Sequence, residues 1–185
     1  MTTADPPAAH DPASDPYDAQ EALARAYETG LEREKAGDAD GAAEAFREAL
    51  RLDPDDPGGV TVRLAALGRG ETPHRAPPAY VATLFDQHAE VFDDILVERL
   101  GYRVPLIARE AALRLGRPPF GRVLDLGCGT GLSGEAFRDV ARHLAGVDLS
   151  EGMVEIAAEK EVYDRLFVAD AERFLADGEG GPWDV

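Results

Sequence analysis

The sequence has a single cysteine, Cys128. That excludes an internal disulfide framework and any zinc site built from several cysteines, and no other spacing suggests metal ligation. Long apolar runs are missing too: nothing approaches the roughly 18 consecutive apolar residues of a membrane span. The N-terminus is acidic and polar where a secretory signal would be basic and then apolar. These absences lead to the expectation of a cytoplasmic chain with no membrane partner. Basic residues are scarce as well, 19 Lys and Arg against 36 Asp and Glu, for a formal net charge of −17. Such a balance favours solubility and repels polyanions, so no nucleic acid is expected as a partner. What is present, 44% hydrophobic residues in a chain of 185, suffices for one ordinary domain or for a small domain plus part of a larger one.

Residues 1–16 are rich in Pro, Asp and Ala without apolar periodicity, a composition that cannot bury enough surface to offset chain entropy, and they read as a disordered leader. From Tyr17 to Lys35 the pattern is helical, opened by Asp15-Pro16 and closed by Gly37. A second helix, capped by Asp38 or Asp40, carries Ala42, Ala43, Phe46, Ala49 and Leu50 at helical spacing and stops at Asp53-Pro54. A third, over Gly59 to Leu67, completes a helical region spanning 17–68. Glycine and proline density marks 69–79 as a linker. Beyond it, 80–120 reads as helices: an apolar stripe from Tyr80 through Phe85, Phe92 and Leu96 to Leu100, then a helix opened by Pro105 and ended by Gly116.

From residue 121 onward short apolar runs alternate with helical ones. Val123–Leu126, His143–Val147 and Leu166–Val168 read as strands, with helices over Gly131–Val140 and Ser150–Lys160 between them. That alternation describes an α/β fold with a parallel sheet, in which ligands bind past the carboxyl ends of the strands. Gly127, Gly129 and Gly131 follow the first strand, where backbone without a Cβ turns tightly and approaches a ligand closely. The second strand ends at Asp148, placed to accept hydrogen bonds from ribose hydroxyls, with Leu149 beside it. Ser150 caps the next helix and Met153 in its first turn is placed to lie against an adenine face. The third strand ends at Asp170, next to Ala171, in position to accept from an exocyclic amine. Three strand ends converge on one nucleoside-like ligand.

The run Asp125-Leu126-Gly127-Cys128-Gly129-Thr130-Gly131, followed by Gly146-Val147-Asp148-Leu149-Ser150 and Val168-Ala169-Asp170-Ala171, resembles the class I S-adenosylmethionine-dependent methyltransferases. The resemblance implies S-adenosyl-L-methionine as cofactor. It implies that the loop glycines hold the methionine part, Asp148 the ribose, and Asp170 with the Ala171 N–H the adenine. Asp125 would then stand near the ligand's ammonium group, and Tyr102, on a helix that covers the cofactor in such enzymes, would reach the methionine end. The helices before it resemble a single tetratricopeptide repeat over about residues 23–56, through Gly30, Ala42, Phe46, Ala49 and Pro54, although Ala26, Thr29 and Arg33 stand where that repeat has bulky residues. Such a hairpin implies a possible protein partner. With Tyr80-Val81-Ala82-Thr83-Leu84-Phe85-Asp86 after it, the arrangement is similar to a bacterial group of methyltransferases without an assigned substrate. The implied fold is the N-terminal part of a Rossmann-like parallel sheet preceded by an α-helical tetratricopeptide-like hairpin. The methyl acceptor is expected to be a small molecule or a protein, and no catalytic base is identified.

Two other readings stay open. Gly129-Thr130-Gly131-Leu132-Ser133-Gly134 also satisfies the dinucleotide pattern of an NAD or FAD oxidoreductase, but that register leaves Gly127-Cys128 inside the strand and Asp125 without a role. The fold class has seven strands, and Pro182-Trp183-Asp184-Val185 reads as the opening of a fourth, so the sequence is expected to be a fragment; a natural truncation would make it a non-catalytic interaction module. Cys128, though part of the loop, reads as space-filling, since no base partner is marked nearby, and His88 and His143 read as structural or exposed. Phe85 and Phe92 read as core.

Overall fold

The computed structural model describes residues 16–178 and 181–185. The leader expected over residues 1–16 lies, apart from Pro16, outside the described residues. The chain divides into two compact units, Met1–Pro77 and Pro78–Val185.

In the first unit α1 (Pro16–Lys35) and α2 (Ala39–Leu52) form a helical hairpin. α1 stops because Gly37 adopts a φ of +80°, which only glycine takes without steric cost. The Asp38 N–H then reaches back to the Arg33 carbonyl at 2.9 Å, as in a Schellman turn. Of the two candidate caps it is Asp38 that serves, its carboxylate accepting from the Gly41 N–H at 2.9 Å. Ala42, Ala43, Phe46 and Ala49 form the buried face of α2. Phe46 is wholly enclosed, and Gly30 on α1 makes the room, since a Cβ there would collide with the ring. Tyr27 closes over it with ring centroids 6.1 Å apart. α3 (Val60–Ala66) adds Val60 and Leu64 to this core. Its cap is Asp56, whose buried carboxylate accepts from the N–H groups of Val60 at 2.6 Å and Thr61 at 2.8 Å.

The second unit opens with α4 (Pro78–Asp86) and α5 (Ala89–Asp93), which runs into a π-helical stretch, Asp94–Arg99. The helical stretch expected up to Leu100 is therefore interrupted. His88 is the cause: its ring Nδ1 lies 2.7 Å from the Leu84 carbonyl that a continuous helix would offer to the His88 N–H, and that N–H goes to Phe85 instead. α6 (Val104–Leu115) follows, then β1 (Phe120–Leu126), α7 (Leu132–Phe137) with a 3-10 turn (Arg138–Val140), β2 (Ala141–Asp148), α8 (Glu151–Glu159), β3 (Arg165–Val168) and α9 (Ala171–Ala176). α9 has no counterpart in the sequence reading.

The sheet is parallel in the order β1-β2-β3, with Leu124 opposite Ala145 and Asp148 opposite Val168. Along the other edge of β1 the Leu124 N–H donates to the Val185 carbonyl at 2.9 Å and the Asp184 N–H to the Arg122 carbonyl at 2.8 Å. β1 thus has backbone partners on both sides. β2 is central and buried through Leu144, Ala145 and Val147, the near-continuous apolar run expected of a strand covered on both faces. Phe120, Val123, Val140, Ala141 and Leu144 make the core beneath it, with Ala112, Phe137 and Tyr163 packed around them. Among the described residues no helix is long and apolar enough to cross a membrane.

Candidate functional site

β1 ends at Leu126 and the chain turns directly into the glycine loop. Gly127 and Gly129 adopt φ values of +72° and +52°, and no atom lies within 4 Å of where a Cβ on either would sit. They present bare backbone to an open cleft, and a side chain at either position would be strained and would project into open space. The N–H groups of Gly127 and Cys128 both donate to the Val147 carbonyl, at 2.8 and 3.0 Å, which ties the loop to the end of β2.

The cleft has a volume of about 500 Å³. Its sheet side is lined by Gly127, Cys128, Gly129, Thr130, Asp148, Leu149, Met153, Asp170 and Ala171, and its cover side by Phe85, Phe92 and Tyr102 among others. The Asp148 carboxylate accepts from the Gly129 N–H at 2.8 Å through one oxygen and from the Ser150 N–H at 2.9 Å through the other. It therefore braces the loop as well as facing the cleft. Asp170 caps α9, accepting from the Arg173 N–H at 3.0 Å, and so sets the first turn of that helix, with Ala171, at the cleft. Met153 is buried in the first turn of α8, under the Ser150 cap. These residues fit a nucleoside-bearing cation: exposed loop backbone, carboxylates at successive strand ends and an apolar wall.

Two residues expected in this set stand elsewhere. Asp125 does not line the cleft: its carboxylate accepts from the Tyr163 hydroxyl at 2.6 Å, behind the loop. Burial pushes that carboxyl up; the Tyr163 hydroxyl pulls it back down, and the charge of Asp148 adds to the rise. The Tyr163 hydroxyl is itself driven upward by burial and by Asp125, so it stays protonated and donating. Gly131 is also outside the lining, because its φ of +93° turns it toward the Tyr163 ring and Ala157, the closest approaches to a Cβ there being 3.2 and 3.4 Å. Gly134 performs the same service one turn on, where a Cβ would meet the Tyr163 hydroxyl at 2.6 Å. Tyr163, separated from Asp125 by 38 residues, carried no signal in the sequence.

Cys128 is buried and its thiol is pushed up to about 12 by burial, with the charges of Asp125 and Asp148 adding to the effect. It fills space against Gly146. Alkylation by iodoacetamide at pH 8 is expected to be at least tenfold slower in the folded chain than in denaturant, read by mass spectrometry. His143 lies between Trp183, with rings stacked at 6.4 Å, and Asp164, outside the cleft lining. Among the described residues no group of three or more His, Cys, Asp or Glu side chains is arranged to hold a metal ion.

The sequence reading also missed polar ties between the cover and the loop. Asp86 accepts from the Ser150 hydroxyl at 2.5 Å and from the Gly152 N–H at 3.0 Å. Asp93 accepts from the Thr130 hydroxyl and from Lys160 Nζ, the latter at 2.6 Å. The one available signal was the doublet Phe-Asp occurring twice, at 85–86 and 92–93.

Residues 123–185 match the family model described as a methyltransferase domain. The chain is 44% identical over 55 residues to the 18S rRNA (guanine-N(7))-methyltransferase RID2 of Arabidopsis thaliana, covering 30% of this chain and 18% of that protein. It is 40% identical over 48 residues to the 18S rRNA (guanine-N(7))-methyltransferase of Bos taurus, covering 26% of this chain and 17% of the other. A solved structure titled "DhpI-SAH complex structure" is similar with a TM-score of 0.40 and 22% identity, over 49% of this chain and 43% of that one. The chain thus spans less than a fifth of the length of these two relatives. Their names overturn the expectation that nucleic acid is excluded as a partner. That expectation summed charge over the whole chain, whereas acceptor binding depends on a local surface, and exposed charges more than about 8 Å away are largely screened at physiological salt. Over residues 123–185 the chain is similar to a methyltransferase domain.

Proposed function

We propose that the chain holds S-adenosylmethionine in the cleft between the strand ends and the cover, as the donor-binding part of a methyltransferase. The observation that carries this reading is register. β1 stops at Leu126, so Gly127 and Gly129 form the open loop, and Asp148 and Asp170 at the next two strand ends line the same cleft. In the dinucleotide register Gly127 and Cys128 would belong to the strand.

When bound, S-adenosylmethionine supplies a methyl group already activated by the sulfonium charge. What remains for the protein is to orient the donor and exclude water. Gly127 and Gly129 are assigned to the methionine part, Asp148 and Leu149 to the ribose, and Asp170, the Ala171 N–H and Met153 to the adenine. Tyr102 faces the methionine end from the cover. Asp125 acts from behind the loop, through Tyr163. The tetratricopeptide-like reading of the α1–α2 hairpin, with a protein partner on it, belongs to the same proposal; its support is the insertion of Phe46 against Gly30. The names of the relatives make a guanine N7 in ribosomal RNA the first acceptor to assay.

Calorimetric titration of the 185-residue chain tests the donor site. Saturable one-to-one binding of S-adenosylmethionine and S-adenosylhomocysteine is expected, and none of NAD. Heat with NAD alone, or none with any of the three at millimolar concentration, would overturn the reading.

A further inference from the structure

The doublet Phe85-Asp86 recurs as Phe92-Asp93, seven residues on. Phe85 and Phe92 both line the cleft, with ring centroids 5.8 Å apart in an edge-on pair. The aspartates beside them reach the framework of the donor site. Asp86 takes the Ser150 hydroxyl and the Gly152 N–H, in the first turn of α8. Ser150 is fully buried and its hydroxyl also accepts from the Met153 N–H at 3.1 Å. Asp93 takes the hydroxyl of Thr130, a buried residue between the loop glycines Gly129 and Gly131. It also takes Lys160 Nζ, which donates to Glu135 on α7 at 3.0 Å as well. Burial alone would lower the Lys160 ammonium, but the hydrogen bonds to Asp93 and Glu135 outweigh it and hold the group above the usual lysine range.

Apolar packing does little to hold this cover. Among the described residues of α4, α5 and the π-helical stretch, Ala89 alone is buried. It sits between the two aspartates in sequence and packs where Gly152 lacks a side chain, 3.6 Å from the position of a Cβ there. A segment with so little buried apolar surface opens locally at small cost unless polar contacts hold it shut.

We propose that Asp86 and Asp93 are positioning residues that latch the cover, residues 78–100, onto the glycine loop and the start of α8, and that this latch sets how tightly the donor is retained. The proposal rests on the donor reading of the cleft. Its geometry couples the two events directly, because Thr130 and Ser150 belong to the loop and helix start that frame the cleft and are also the groups the latches grip.

The test uses the full chain and two readouts. Amide hydrogen exchange over 78–100 is expected to accelerate about fivefold or more in Asp93→Asn and in Lys160→Met, with β1 and β2 unchanged. S-adenosylhomocysteine affinity by calorimetry is expected to fall about three- to tenfold in each. The double variant should lose less than the two singles added together, because both singles already lose the Asp93–Lys160 pair. Asp86→Asn, at the other latch, is expected to behave like Asp93→Asn. Unchanged exchange over 78–100 in all three single variants would overturn the latch. Faster exchange with unchanged affinity would overturn its positioning role. If the unmodified chain binds no S-adenosylhomocysteine, the donor reading fails, and the latch is judged on exchange alone.

Discussion

Phe46→Ala is expected to destabilise the helical unit by about 3–5 kcal/mol, the usual cost of removing a fully buried aromatic side chain. On one side of the ring Gly30 has no side chain to move into the gap. Tyr27 packs against the ring, and Val60 and Leu64 belong to the same buried cluster. Chemical denaturation checks this with two probes. Helical circular dichroism should lose a component at lower denaturant. The fluorescence of Trp183, the one tryptophan in the sequence, reports on the second unit and should keep its midpoint. A shift of the tryptophan transition as large as that of the helical one would contradict the division into separately cored units.

Asp148→Ala is expected to weaken S-adenosylhomocysteine binding at least tenfold, about 1.4 kcal/mol or more. Two losses combine. A ribose loses its acceptor, and the N–H groups of Gly129 and Ser150 lose theirs, so the loop that would hold the methionine part is no longer braced. Hydrogen bonds to a charged acceptor contribute roughly 1.5–3 kcal/mol each, which makes tenfold the lower bound. Asp148→Asn separates the two effects. It keeps one acceptor oxygen, and calorimetry should place its affinity between those of the alanine variant and the unmodified chain. Equal affinity in all three would rule out Asp148 as a donor contact.

The elements and the cleft were differently legible. The glycine loop, the ends of β2 and β3 and the caps Asp38 and Ser150 could be read because each depends on residues adjacent in sequence. A cap acts over three residues, and a strand-to-loop change shows where apolar residues give way to glycine. The break at His88 was missed because a side chain competes there with the backbone for one carbonyl, which leaves the apolar stripe of α4 and α5 intact in the sequence. α9 was missed because Asp170 was read for its ligand role when it also caps a short helix. Asp125 was placed at the ligand because its position in the motif is right, while the direction of its side chain is set by Tyr163.

By itself the sequence determined the order of the three strands and of the helices between them, the register of the loop on β1 and the acidic residues at the ends of β2 and β3. These are local choices, settled by periodicity, capping and the steric freedom of glycine within a few residues. Only the tertiary structure decided which polar groups meet. Thr130 with Asp93, Tyr163 with Asp125, Ser150 with Asp86 and Lys160 with Asp93 are pairs separated by 37, 38, 64 and 67 residues. Parallel crossovers bring Tyr163 to Asp125 and the folded-back cover brings Asp86 and Asp93 to the other three groups, and no local pattern in the chain records where a distant carboxylate will find its donor.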